Sequence, residues 1–260
     1  MSGTTEQLGI SIVMPVFNEE ATLRAIVSKV VAVPGLVELV IVDDKSTDGS
    51  AAIARELANG DARIRLIQHE QNSGKTAALR TGIVATTGDI VVIQDADLEY
   101  DPTEIPELIA PITDGRADVV YGSRFMVRRA ARVLYFSHYL ANKLLTFVSN
   151  IFTNLNMSDI ETCYKAFRGD LIRSMTITSR GFGFEVEVTA KMAKSGCHIY
   201  EVPISYYGRT YEEGKKIGTA DGVAAFWYVL RYNIFSTKAS AFRAAGADEP
   251  QEHANEATAG

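Results

Sequence analysis

In the first half of the chain, apolar positions come in short, nearly continuous runs: Ile10–Val16, Leu39–Val42, Ile64–Gln68, Ile90–Gln94 and Val119–Tyr121. Runs of about four to eight such residues between turn signals predict strands covered on both faces. The stretches between them have helical spacing. Leu23, Ile26, Val27 and Val30 share one face of a helix that Pro34-Gly35 stops. Asn18 is placed to cap that helix, with Glu19 and Glu20 in its first turn. Ser46, Thr47 and Asp48 offer caps for a helix through Leu57; another spans about 75–85, and Pro102 opens a third. Alternating strands and amphipathic helices predict an α/β fold, a mostly parallel sheet flanked by helices.

In such sheets ligands bind beyond the carboxyl ends of the strands. The residues expected there are Phe17-Asn18-Glu19, Asp43-Asp44, Asp95-Ala96-Asp97 and Gly122-Ser123-Arg124. Helix capping accounts for Asp48. It does not account for carboxylates at three strand exits.

The second half differs in charge. From Val119 to Ser158 there is no Asp or Glu, yet Arg124, Arg128, Arg129, Arg132 and Lys143 fall within it, in a chain of net charge −6. Leu140, Leu144, Phe147, Val148 and Ile151 recur at helical spacing, just after Tyr135, Phe136 and Tyr139. Two readings fit: a basic, aromatic-rich helix lying in a membrane interface, or an amphipathic helix packed on the core. We therefore expect a flexible N-terminus over 1–8, one domain over 9–235 (a first half to about 125 and a second, interface-like half beyond), and a disordered tail over 236–260.

The acidic net charge argues against a nucleic-acid partner, which usually selects a basic excess. No run approaches the roughly 18 apolar residues of a spanning helix. The first residues, MSGTTEQLG, lack the basic and apolar regions of a secretory signal, so a cytoplasmic protein is expected. Cys163 and Cys197 are isolated and fit buried, reduced thiols.

Asp95 and Asp97, two apart at a strand exit, can share one hard divalent cation, or one can bind it while the other meets a sugar. Mg²⁺ or Mn²⁺ takes oxygen ligands and fills its shell with water and substrate phosphates. Other phosphate motifs fail. Gly74-Lys75-Thr76 ends like a P-loop, but His69 stands where the first glycine belongs; Gly181-Phe182-Gly183 starts like a dinucleotide fingerprint, but Val186 replaces its third glycine.

Several segments follow in a fixed order: Met14-Pro15-Val16-Phe17-Asn18-Glu19-Glu20, Val42-Asp43-Asp44-Lys45-Ser46-Thr47-Asp48-Gly49, Asn72-Ser73-Gly74-Lys75 and Gln94-Asp95-Ala96-Asp97-Leu98-Glu99. Gly122-Ser123-Arg124, Asp159 to Lys165 and Tyr206-Tyr207-Gly208-Arg209 extend the series. It resembles the family 2 glycosyltransferases of GT-A fold and, within them, the dolichyl- or polyprenyl-phosphate mannose and glucose synthases. The resemblance implies that Pro15, Phe17, Glu19, Asp43 and Asp44 line the nucleotide. It implies that Asp95 and Asp97, flanking Ala96, hold metal and diphosphate, with Glu99 as a further ligand. Arg124, Arg209 and Lys215 match basic residues that meet donor and acceptor phosphates, and Glu187 sits on a helix bordering the acceptor site, where a structural cap is the competing role. Phe17 stands where Tyr is more usual, and Thr76 where Gly is common.

The implied reaction moves a hexose from a nucleotide-diphosphate sugar, UDP-glucose or GDP-mannose, to polyprenyl phosphate. A phosphate monoester, with its second pKa near 6, is largely dianionic at neutral pH and needs positioning more than deprotonation. A hydroxyl acceptor is the alternative and needs a general base, for which Glu187 and Asp159 are the candidates. A nucleotide-sugar pyrophosphorylase would need a Gly-rich, Arg-bearing loop after the first strand, and the chain has none there. Without a spanning helix, docking falls to Arg128 through Ile151, to Phe226-Trp227-Tyr228, or to a membrane-protein partner, making the protein peripheral at the cytoplasmic face.

Overall fold

A computed structural model of the chain describes residues 8–126, 132, 135–209 and 219–242. Its elements run β1 (Ile10–Val16), α1 (Leu23–Val30), β2 (Leu36–Asp43), α2 (Ser50–Gly60), β3 (Ile64–Gln68), α3 (Lys75–Ala85) and β4 (Ile90–Ile93). A 3-10 turn at Pro102–Glu104 leads into α4 (Ile105–Thr113), then β5 (Val119–Ser123) and α5 (Phe136–Thr153). Next come β6 (Lys165–Arg168), α6 (Gly169–Ser174), α7 (Phe184–Ser195), β7 (Ile199–Pro203), α8 (Thr219–Ile234) and α9 (Lys238–Ala241).

The strands form one seven-stranded sheet in the order β3-β2-β1-β4-β6-β5-β7. Only β6 is antiparallel to its neighbours, β4 and β5. The sheet is therefore mostly parallel, as the runs of apolar residues predict. Successive residues of β1 point to opposite faces, and helices cover both: Ile12, Met14 and Val16 pack with α1, while Val13 packs with Leu79 and Ile83 of α3. The predicted face of α1 is the buried one, Leu23, Ile26, Val27 and Val30.

Register sets the site. Val16 pairs with Asp43, Val13 with Ile93, and Gly122 NH bonds to the Tyr164 carbonyl. The exits of β1, β2 and β4 are thus neighbours, and chain order reverses between β1 and β4, the switch point where ligands bind. Because β6 runs the other way, it starts at this same edge and brings Asp159 through Tyr164 to it.

Two expectations are corrected, and the open choice for the 136–153 helix is narrowed. Asn18 does not cap α1, which begins at Leu23; Asn18 adopts a left-handed φ of 55° and its side chain turns to Thr47. Leu140, Leu144, Phe147 and Ile151 do not pack on the core, since α5 buries Leu145, Thr146 and Ser149 instead. Residues 236–242, placed in the tail, are folded: Thr237 caps α9, and Phe242 bridges to Met175. Residues 1–7 and 243–260 lie outside the described residues. No described helix is long and apolar enough to cross a membrane.

Candidate active site

Short polar side chains tie the β1 and β2 exits together. Asn18 NH donates to Ser46 Oγ at 3.0 Å, Thr47 NH to Asn18 Oδ1 at 2.8 Å and Glu19 NH to Ser50 Oγ at 2.8 Å. Asp44 is nearly buried and anchors the Asn72–Lys75 loop: its carboxylate accepts Ser73 NH at 2.9 Å and Gly74 NH at 2.7 Å and meets His69 Nδ1 at 2.7 Å. Gly74 has φ 86°, a left-handed turn that aims these amides. Thr76 bonds to the Gly181 carbonyl through both its NH and its hydroxyl. Asp43 is also buried, with weaker contacts to Ser46 NH at 3.3 Å and Gln68 Nε2 at 3.4 Å. Phe17 is part-exposed beside them.

At the β4 exit each aspartate carries a basic partner. Lys75 Nζ lies 2.8 Å from Asp95 Oδ1, 2.8 Å from Cys163 Sγ and 3.9 Å from Glu185. Burial opposes the lysine's charge, but Asp95, Cys163 and Glu185 outweigh it and hold Lys75 well above the usual lysine range. Arg209 Nη2 lies 2.8 Å from Asp97 Oδ2, with Glu19 and Glu99 each 3.4 Å from the guanidinium. Asp97 is nonetheless pushed up to about 7, by burial first and then by Asp95 and Glu99, with Arg209 pulling the other way.

Glu99 accepts Tyr206 OH at 2.8 Å and Arg209 NH at 2.9 Å, clamping the segment after β7 to the β4 loop. Arg124 is fixed by Asp159 through Nε and Nη2, both at 2.7 Å, and its guanidinium lies 5.2 Å from the Tyr206 ring centre. Asp159, fully buried and ion-paired, is not a free base; Arg124 holds its carboxyl below the usual range despite burial.

Glu187 is corrected in role. It is fully buried, and it accepts Thr178 NH at 2.8 Å, Thr178 Oγ1 at 2.9 Å, Ser179 NH at 2.7 Å and the Lys191 ammonium. These bonds secure the 178–179 loop to α7 and leave no group for an acceptor. Its neighbour Glu185 faces the cluster instead, with Cys163 Sγ 3.4 Å from Glu185 Oε1. Glu161, Cys163 and Glu185 are residues that strand-exit reasoning missed. For Glu161 and Cys163 the signal was the Asp159–Lys165 segment, whose arrival at this edge depends on the reversed direction of β6; Glu185 comes from α7. Glu161 Oε1 is buried without a hydrogen-bond partner, and its carboxyl is pushed up to about 7 by burial and then by Glu185. Lys215, Arg128 and Arg129 lie outside the described residues; Arg132 bonds to the Gly208 carbonyl at 2.9 Å.

No three His, Cys, Asp or Glu residues among those described are grouped as ready-made metal ligands. The donor set still fits a hard cation. Its oxygens are carboxylates, and an ammonium and a guanidinium already stand on them.

Residues 11–175 match the sequence profile of Glycosyl transferase family 2. The chain belongs to glycosyl transferase family 2. The matched span holds Asp95, Asp97 and Arg124 and ends before Glu185 and Arg209. This glycosyltransferase is 28% identical over 242 residues to an undecaprenyl-phosphate mannosyltransferase of Micrococcus luteus, covering 85% of this chain and 97% of that protein. It is 27% identical to a polyprenol monophosphomannose synthase of Mycolicibacterium smegmatis, covering 80% and 81% of the two chains. Among solved structures, glucosyl-3-phosphoglycerate synthase of Mycobacterium tuberculosis with Mn²⁺, uridine diphosphate and phosphoglyceric acid shares the fold, with a TM-score of 0.68 and 23% identity over 87% of this chain and 78% of that one.

Proposed function

We propose that this glycosyltransferase moves a hexose, with inversion, from a nucleotide-diphosphate sugar such as UDP-glucose or GDP-mannose to polyprenyl phosphate, using Mg²⁺ or Mn²⁺ at Asp95 and Asp97. The observation that carries the reading is the pair of strand-end aspartates, Asp95 and Asp97, each bearing a basic side chain. The names of the two relatives support the acceptor, and the Mn²⁺ and uridine diphosphate bound by the similar structure support the donor and metal.

A bound divalent cation would offset charge on the departing diphosphate. The chain's own groups do the rest. The edge formed by Phe17, Asp43 and the loop anchored on Asp44 receives the nucleoside. Arg124, backed by Asp159, and Arg209 supply positive charge for the leaving and attacking phosphates. Glu99 serves by clamping Tyr206 and Arg209 rather than as a metal ligand. Because a phosphate dianion attacks without losing a proton, no base is required. The hydroxyl-acceptor reading is weakened, since Asp159 and Glu187 are both fully engaged.

Docking of the acceptor's membrane is supported by α5. Phe136, Leu140, Leu144, Phe147 and Ile151 form one exposed apolar row, and Phe226 and Trp227 of α8 are exposed as well. An acid-free helix with such a row suits the headgroup boundary, directly or beside a membrane-protein partner at the cytoplasmic face.

The test supplies radiolabelled UDP-glucose or GDP-mannose with polyprenyl phosphate and partitions the product between water and organic solvent. Label should enter the organic phase with wild type and not with D97A, whose circular dichroism stays native. Full activity of D97A would refute the metal role. Label confined to water-soluble product would refute the acceptor.

A further inference from the structure

Arg209 makes contacts that phosphate binding alone does not explain. Its guanidinium reaches three carboxylates from two places in the fold: Glu19 after β1, and Asp97 and Glu99 after β4. Lys75 does the same for Asp95, but the two cations are held differently. Lys75 opens α3 and is also fixed by Cys163 and Glu185. Arg209 lies beyond β7 in a segment without helix or strand, its backbone tied through Glu99.

A guanidinium does not lose its proton in a protein. A cation drawn to Asp97 Oδ2 therefore meets the full positive charge of Arg209 at 2.8 Å, and its binding there is favoured when Arg209 withdraws. Oxygens of a nucleoside diphosphate would offer the fork a bidentate partner in exchange.

We propose that Arg209 is a positioning residue, the resident counter-ion of the donor site: it holds Glu19, Asp97 and Glu99 together before the metal arrives, competes with the metal for Asp97, and transfers to the diphosphate when the donor binds. The proposal rests on the assignment of Asp97 to the metal made under Proposed function. It requires metal and nucleoside diphosphate to bind with positive coupling, since each favours the state in which Arg209 has left Asp97. The coupling is reciprocal.

The experiment titrates the full chain with Mn²⁺, reading free Mn²⁺ by electron paramagnetic resonance, with and without UDP or GDP. Wild type should bind Mn²⁺ weakly alone and more tightly with the preferred nucleotide. R209M should bind Mn²⁺ alone about tenfold more tightly than wild type, within the usual range of site–site coupling, and should lose most of the nucleotide enhancement. R209K, keeping the charge but not the fork, should fall between and carries the test if R209M fails to fold. A residue that merely braced the loop would leave Mn²⁺ affinity unchanged or lower it on removal. If R209M and R209K bind Mn²⁺ no more tightly than wild type while D97N abolishes binding, the counter-ion role is overturned and the metal assignment stands. If wild type binds no Mn²⁺ even with either nucleotide, the metal assignment falls and takes the counter-ion role with it.

Discussion

D159N should unfold this protein more readily than any surface substitution, because it strands a buried arginine. Asp159 is fully buried, and Arg124 gives it three hydrogen bonds: two from the guanidinium at 2.7 Å and one from the backbone NH at 3.1 Å. An asparagine of the same shape keeps one acceptor and turns an NH₂ towards a guanidinium that has only donors. Removing one partner of a buried pair costs about 3–5 kcal/mol, because the other charge stays behind in a poorly solvated place. For a chain of this size that is a fall of roughly 6–20 °C in the melting midpoint. The pH dependence has a fixed sign. The folded carboxyl lies below its usual range, so its stabilisation is complete above the unfolded pKa and is lost as pH falls through the folded one. The gap between D159N and wild type should therefore be full at pH 7 and close only under strongly acid conditions. Urea unfolding of wild type, D159N, R124M and R124M/D159L measures it. The double variant, having no buried charge, should be more stable than either single variant. A loss below about 1 kcal/mol for D159N at pH 7, or a double variant worse than both singles, would refute the reasoning.

Three further outcomes are expected. Glu161 is raised to about 7 by burial and by Glu185, with Lys165 and Arg124 opposing and Asp159 adding; ionising it costs stability progressively as pH rises from the ordinary glutamate range to about 7. E161Q should thus match wild type near pH 4 and exceed it at pH 8 by about 1–3 kcal/mol in urea unfolding, and a difference independent of pH would count against this. At Gly82 a Cβ would lie 2.4 Å from Val13 Cγ1 and 3.1 Å from Val42 Cγ2. G82A should lose about 1–2 kcal/mol despite alanine's better helix propensity, and a stabilised variant would show that α3 can shift off the sheet. L144E/F147E alters two exposed apolar residues of α5 and should abolish flotation with anionic vesicles while leaving the melting midpoint within a few degrees; unchanged flotation would move the docking surface elsewhere.

The parallel strands and the buried face of α1 were legible because each is a local pattern of apolar residues. The strand-exit aspartates were legible for the same reason: Asp95 and Asp97 come just after four apolar residues and Gln94. β6 was not, because Lys165 opens it and its partners, Val91 and Val92, are far away in sequence. Missing β6 hid the arrival of Glu161 and Cys163 at the site. Glu185 and Glu187 are two positions apart on α7, on nearly opposite faces, and both are buried. Sequence spacing cannot say which face meets the cluster; the Thr178–Ser179 amides and Lys191 claim Glu187 and leave Glu185 to Lys75. Asn18 carried a valid capping signal, but its side chain met Thr47 instead, leaving Leu23 to open the helix.

The reach of Arg209 across the chain has a consequence for how the molecule is made. Its contact with Glu19 closes 190 positions and that with Asp97 closes 112. Contacts so distant form late, after the local strand and helix pairings. Until residue 209 leaves the ribosome, Glu19, Asp97 and Glu99 face one another without their guanidinium. The three carboxylates are thus made long before the arginine that joins them, and this corner of the donor edge can close only after residue 209 has emerged.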